Sequence, residues 1–385
     1  MKKHLLAKTV ALVLFCGLFV FGVRVAQGKW LWNDEIYSQI HSVEQLSYGD
    51  ILRGRVTEGN NSPLFYILQK GICDLTNYEL PFVWKGEWAV ADPQSQVLLR
   101  LLPNFFMSLA ITMIFYVFAL EYSLLAGIYA FFIAMSTEIM FAYWAEARPY
   151  ALWGCLSAFQ AVYFFRLVRA SGDEAGRGRH WRTLGIIHVL LSLTAVFGTV
   201  QAFIVSMVMF AFYRRKLSQY ILLLFVPLLF GFFYFFHAQH YVFGLPPKPA
   251  ILIYENIPVD RLILMYLSGI VALGYFLWKR QLQTIDVIWR YGTLGVLMLA
   301  ASLGIMTCFA FTADPGWKPF MISSRYFIFL APLGIVTAAV LSLEVFKLCS
   351  ASRWMMINWL IVCLGFLAIR FFRSLHAMLS GLGIF

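Results

Sequence analysis

Residues 10–37 read Val10-Ala11-Leu12-Val13-Leu14-Phe15-Cys16-Gly17-Leu18-Phe19-Val20-Phe21-Gly22-Val23-Arg24-Val25-Ala26-Gln27-Gly28-Lys29-Trp30-Leu31-Trp32-Asn33-Asp34-Glu35-Ile36-Tyr37. The part through Val23 carries no charge, and with its flanks it spans 8–27, the length of about 20 residues that crosses a bilayer as a helix. Val25-Ala26-Gln27 offers the small residues of a signal-peptide cleavage point, but the apolar run is long and Arg24 stands just before that point. An uncleaved first helix is therefore expected. Directly beyond it, two adjacent carboxylates lie among tryptophans, which favour the membrane–water interface. This segment reads either as an aromatic belt followed by solvated acids or as a carboxylate pair held at headgroup depth.

The whole chain shares that solvent preference. Apolar residues make up 61% and charged ones 13% of 385 residues, where a soluble domain has about 45–50% and about 25%. Too few polar side chains remain to cover a soluble globule, which excludes a cytosolic enzyme or a nucleic-acid-binding domain despite a net charge of +11. The expected class is an all-α polytopic membrane protein with about eleven transmembrane helices. The spans fall at 8–27, 104–121, 123–141 and 148–167, in a tight hairpin over 183–213 turning near Gly198, and at 217–236, 261–278, 291–311, 326–346 and 354–372. Five of the six cysteines lie in apolar runs or a basic loop and Cys73 alone in the polar segment, so no disulfide framework is legible.

Lys and Arg set the orientation. Lys2, Lys3 and Lys8, the group Arg166 to Arg182, Arg214 to Lys216, Lys279 to Arg290, and Lys347 with Arg353 all fall on one side when the N-terminus is cytoplasmic. The basic loops then read as orientation signals facing anionic membrane lipids, with no nucleic-acid role. The chain divides into a first helix (1–27), a long extracytoplasmic loop (28–103), a transmembrane bundle with outer loops (104–372) and an extracytoplasmic tail (373–385). The loop holds six Lys and Arg against nine Asp and Glu. At that length it should carry short interfacial helices, one over 62–75 with Leu64, Ile67, Leu68 and Ile72 on one face.

Four outer-face segments hold the candidate chemistry: Trp30 to Tyr37; Glu58-Gly59-Asn60-Asn61-Ser62-Pro63-Leu64-Phe65-Tyr66; Trp144-Ala145-Glu146-Ala147-Arg148-Pro149-Tyr150-Ala151-Leu152; and Lys318 to Phe327, with Arg325-Tyr326. Pro63 and Pro149 suit first helical turns. Arg148 and Arg325 stand on the side where cations are scarce, as anchors or as ligands of an anion. Guanidinium binds phosphate through two parallel hydrogen bonds and suits a half-buried site. With a carboxylate nearby, such a set serves displacement at a sugar carbon with a lipid phosphate as leaving group.

In order and topology these segments resemble the GT-C superfamily of membrane glycosyltransferases, in particular the branch containing protein O-mannosyltransferases and lipid A aminoarabinose transferases. The resemblance rests on Asp34-Glu35, Pro63-Leu64-Phe65-Tyr66, Glu146 to Leu152 and Arg325-Tyr326, and spans roughly residues 1–345. It implies a polyprenyl-phosphate sugar donor, used at the extracytoplasmic face of a cell membrane, such as a bacterial inner membrane, on a hydroxyl of a glycolipid, glycan or protein acceptor. It further implies Asp34 as catalytic base and Glu35 as its helper or a cation ligand. Arg148 and Arg325 are the implied phosphate ligands, with Lys318, Tyr150, Tyr326 and Asn61 as further substrate-binding candidates.

A divalent cation, Mg²⁺ or Mn²⁺, would take Glu146 and Asp34 as oxygen ligands. Relatives often place His before the Pro-Leu-Tyr start and a His-Tyr pair at the hairpin turn, where this chain has Asn60-Asn61-Ser62 and Gly198-Thr199. That departure removes two nitrogen ligands and leaves metal independence open. His237 and His240, in an outer loop, read as solvated interface residues or as contributors to the site. The alternative function is a polytopic transporter or lipid flippase, which would carry paired repeats and charges within the bundle. No repeat is evident, and Glu138, Glu344 and Arg370 lie towards span ends.

Overall fold

The computed structural model describes residues 2–56, 62–80, 92–169, 174–212, 220–237, 328–350 and 352–381. Every regular element among them is helical: α1 (Lys2–Gly28), α2 (Asn33–Ser38), α3 (Tyr48–Leu52), α4 (Leu64–Thr76), α5 (Pro93–Leu98), α6 (Leu101–Glu121), α7 (Leu124–Met135), α8 (Glu138–Ala142), α9 (Tyr150–Arg169), α10 (Glu174–Thr194), α11 (Val196–Phe212), α12 (Val226–His237), α13 (Leu330–Cys349) and α14 (Arg353–Gly381). Five helices in the described part are long and apolar enough to cross a membrane: His4–Gly28, Pro93–Glu121, Tyr150–Arg169, Leu330–Lys347 and Arg353–Phe372. Shorter apolar helices cover Leu124–Met135, Val196–Phe210 and Ile221–His237. The expected spans 261–278 and 291–311 lie outside the described residues.

Helices α6 and α9 form the centre, packed on each other, on α1 and α7, and on α10 and α13. Around this centre lie the fully buried rings of Phe115, Phe118, Phe164, Phe165, Trp144 and Trp153. Gly22 sets how closely α1 approaches, because a Cβ there would collide with Asn104 and Trp144. In the space it leaves, Asn104 Nδ2 donates to Phe19 O (2.8 Å) and Trp144 Nε1 donates to Asn104 Oδ1 (2.8 Å). Hydrocarbon offers no substitute partner, so these bonds define the seam between α1 and α6.

Two spans differ from expectation. The span over 123–141 is broken: α7 stops at Met135 and α8 restarts at Glu138. Ser136 Oγ and Thr137 Oγ1 both donate back to Ile133 O (3.0 and 2.8 Å), the hydroxyl competition that ends or bends a helix. Arg370 of α14 then donates to Ser136 Oγ (3.0 Å) and Thr137 Oγ1 (2.6 Å). The hairpin reverses at Ala195, three residues before the expected turn; Gly198 N donates to Ala195 O (2.9 Å), and a Cβ on Gly198 would meet Leu191 O.

A polar network joins the hairpin to its neighbours inside the bundle. Pro227 lacks the N–H that an α-helix would aim at Leu223 O, and a π-helical turn, Ile221–Phe225, precedes α12. Ser206 Oγ (2.9 Å) donates to the Leu223 carbonyl, and His188 Nδ1 lies 2.8 Å from it. That contact puts the imidazole proton on Nδ1, so Nε2 accepts from Gln160 Nε2 (2.9 Å). Gln160 Oε1 accepts from Gln201 Nε2 (2.6 Å), and Trp153 Nε1 donates to Gln201 Oε1 (2.8 Å).

The segment between α1 and α6 is built of short helices. Helix α4 fills the position expected over 62–75, but the buried residues are Phe65, Tyr66, Gln69 and Cys73, with Leu64, Ile67 and Leu68 only partly covered. The face is rotated because α4 is tied into the protein: Gln69 Nε2 donates to Leu99 O (3.0 Å) and Ser62 N to Thr194 O (3.3 Å). Helix α5 is capped by Asp92, whose carboxylate accepts from Gln94 N (3.3 Å) and Ser95 N (2.9 Å). The final described helix continues past Phe372 to Gly381.

Candidate active site

The site lies where α1 ends and α6 and α9 begin. Trp32, in extended conformation, starts α2 and brings Asp34 and Glu35 into its first turn. Successive helical positions point about 100° apart, and these two carboxylates take different surroundings.

Glu35 is fully buried against Arg100, itself fully buried. Arg100 Nε donates to Glu35 Oε1 (2.8 Å) and Nη2 to Oε2 (2.6 Å), a two-pronged pairing. The other donors of Arg100 reach Ala26 O (3.2 Å), Lys29 O and Trp30 O (2.8 Å). The guanidinium thus satisfies carbonyls that the end of α1 leaves without helical partners. Glu35 Oε1 also accepts from Ala147 N (2.7 Å), and Oε2 from Trp32 N (3.3 Å). Both oxygens of Glu35 are engaged, so this geometry gives no support to the base-helper or cation-ligand role expected of it. Its contacts instead join the start of α2 to the 144–149 segment.

Asp34 faces the edge, with 37% of its side chain exposed, and Arg148 lies behind it with 6% exposed. Arg148 Nη1 donates to Asp34 Oδ2 at 2.8 Å. The same nitrogen is 3.9 Å from Glu146 Oε1, and the guanidinium carbon is 5.1 Å from the centre of the Tyr150 ring. A tight turn, with Arg148 N donating to Glu146 O (2.7 Å), delivers these side chains to the start of α9. A buried arginine therefore sits between one edge carboxylate, one buried carboxylate and an aromatic face.

Of the residues expected at a site, Asp34, Glu35, Glu146, Arg148 and Tyr150 are brought together. Asn61, Lys318, Arg325 and Tyr326 lie outside the described residues, as does His240. His237 is exposed at the end of α12, its Nδ1 2.8 Å from Phe233 O and its ring stacked on Phe233. Arg100 is the residue that sequence reading passed over. Its signal is the one Arg148 gives, a lone cation at the end of an apolar run.

The two carboxylates named for a divalent cation both lie near Arg148 Nη1, which already supplies positive charge to them. Among the described residues no three His, Cys, Asp or Glu side chains converge as a metal site. Both carboxylates named for a divalent cation thus already face a guanidinium.

No protein-family model matches the sequence, and no curated protein matches it. The fold is similar to the crystal structure of ArnT from Cupriavidus metallidurans in the apo state, with a TM-score of 0.53, 11% sequence identity, and coverage of 98% of this chain and 74% of that one. At that identity the likeness is one of fold.

Proposed function

We propose that the protein is an inverting membrane glycosyltransferase that moves one sugar from a polyprenyl-phosphate donor to a hydroxyl of an envelope glycolipid, glycan or protein. The observation that carries this reading is the 2.8 Å contact between edge-facing Asp34 and buried Arg148. ArnT, a GT-C glycosyltransferase, supports it through the shared fold. The Asp34 end of the bundle faces away from the cytoplasm in this reading, and the lipid A aminoarabinose transferase branch is the relative in view.

In the resting state Arg148 is paired with Asp34. The donor phosphate draws Arg148 into a two-pronged pairing and frees the Asp34 oxygen for the acceptor. The acceptor oxygen bonds to the anomeric carbon from the face opposite the phosphate. The bond from that carbon to the phosphate oxygen breaks, its electron pair leaving with the phosphate, and Asp34 takes the hydroxyl proton. Arg148 meets the charge that develops on the departing phosphate. Glu35 and Arg100 act through position alone.

Mass spectrometry of lipid-linked sugars and envelope glycans in a strain lacking the protein tests the reading. One polyprenyl-phosphate sugar accumulates while one glycan residue disappears; unchanged pools of both would end it.

A further inference from the structure

The opposite end of the bundle holds a second charged cluster, which sugar transfer does not use. There α6 runs out at Glu121 and Tyr122, α9 at Arg166 and Arg169, and α13 at Glu344 and Lys347. Tyr122 Oη donates to Glu344 Oε1 (2.7 Å), and Lys347 Nζ donates to the same oxygen (2.9 Å). Arg166 is paired with Glu121 (3.1 Å). Arg169 has no carboxylate partner among the described residues; its guanidinium carbon lies 4.6 Å from the centre of the Tyr122 ring and 6.0 Å from that of Phe165. Lys347 Nζ is 4.5 Å from the same Tyr122 ring.

Two cations from different helices thus meet at one aromatic ring. Their like charges repel, and the nearby carboxylates are already engaged, Glu344 by Lys347 and the tyrosine hydroxyl and Glu121 by Arg166. Both cations remain open to the surroundings, Lys347 with 47% of its side chain exposed. An anion reaching both would remove the repulsion, and a guanidinium with open donors suits phosphate oxygens. Close by in the chain, Leu125 (77% exposed), three residues after Tyr122, and Phe346, next to Lys347, present outward apolar surface. That combination fits a lipid, with its phosphate on the cations and its chains along the helices, better than free phosphate. Basic pockets between membrane helices are known to take lipid head groups in this way.

We propose that Arg169, Lys347 and Tyr122 form a binding site for the phosphodiester head group of an anionic membrane lipid, seated between the ends of α6, α9 and α13. The site is independent of the sugar-transfer reading. It differs from diffuse attraction of the basic loops to the membrane, because particular side chains, not net charge, set its strength.

The test uses the full-length protein purified in phosphatidylcholine nanodiscs, with phosphatidylglycerol titrated in and bound lipid counted by native mass spectrometry. Phosphatidylglycerol should be retained about tenfold more tightly than phosphatidylcholine, and Arg169→Gln or Lys347→Gln should each lower that preference about fivefold. Tyr122→Leu, which keeps both cations but removes their platform, should lower it too, while Arg169→Lys restores part of it. Arg182→Gln makes the same charge change at an exposed position of α10 and should leave the preference intact. A cooperative melting transition for each variant guards against misfolding, with Arg169→Lys as the variant least prone to it. An equal loss with Arg182→Gln, or no wild-type preference, would overturn the proposal in favour of diffuse charge or none. Inorganic phosphate displacing phosphatidylglycerol at equal concentration would overturn the lipid as the occupant.

Discussion

Arg100 and Glu35, 65 positions apart in the chain, meet through two parallel hydrogen bonds of 2.8 and 2.6 Å with both side chains out of solvent. A buried pair of this kind is costly to form and more costly to break on one side, since the survivor is left charged in a medium that cannot solvate it. Here the pair also holds the end of α1 and the backbone of Ala147, so the placement of Asp34 against Arg148 depends on it.

Breaking the pair should therefore cost stability first and activity second. Arg100→Met or Glu35→Leu alone is expected to lose about 3–5 kcal/mol of folded stability. The double variant should lose less than either single one, because no lone charge remains. Thermal denaturation in detergent reads this directly; additive losses would mean that the two residues act separately.

Asp34→Asn should behave in the opposite way. The side chain is partly exposed and its neighbour Arg148 keeps Glu146 close by, so the melting temperature should hardly move. Turnover should fall by about 10²–10⁴, the usual worth of a general base. Transfer at the wild-type rate would remove Asp34 from the chemistry.

Arg148→Gln should lower turnover by about 10²–10³, the range for a lost partner of developing charge. Arg148→Lys should recover only part, because an ammonium cannot make the two-pronged contact. Single-turnover rates with saturating donor separate this from weaker binding, and an unchanged rate would make Arg148 an anchor.

Chelation gives a fourth expectation. With Asp34 and Glu146 both near Arg148 Nη1, full transfer activity should persist in EDTA. Inhibition reversed by Mg²⁺ or Mn²⁺ would instead put a cation in the reaction.

The cap of α5 predicts a pH dependence. Hydrogen bonds from Ser95 and Gln94 hold the Asp92 carboxyl below its ordinary value of 3.8. A depressed carboxyl contributes stability above that ordinary value and loses it as pH falls through the lowered one. Amide protection over 94–98, taken relative to the unfolded-chain exchange rate at each pH, should thus hold from neutral pH to about 4 and fall in more acid solution. Asp92→Ala should exchange faster at neutral pH and flatten the profile.

Much of the site was legible because charge at a membrane edge is rare enough to stand out: Asp34, Glu146 and Arg148 are all found by that rule. What stayed hidden was long-range. Asp34 and Glu35 look equivalent in the sequence, and only Arg100, far along the chain, turns one inward and leaves the other at the edge. The break in the span over 123–141 could be suspected from Ser136 and Thr137 but not assigned, since Arg370 reaches it from 234 positions away. The rotated face of α4 follows from ties to Leu99 and Thr194 that periodicity does not encode.

Pro227 has a consequence that can be sought among relatives of this chain. An N–H at position 227 would give the Leu223 carbonyl a donor from its own helix, in competition with His188 and Ser206. Positions 188, 206 and 227 should therefore change as a set: homologues that have lost the proline are expected to have dropped the imidazole and the hydroxyl as well, and those that keep it to retain a donor at one or both.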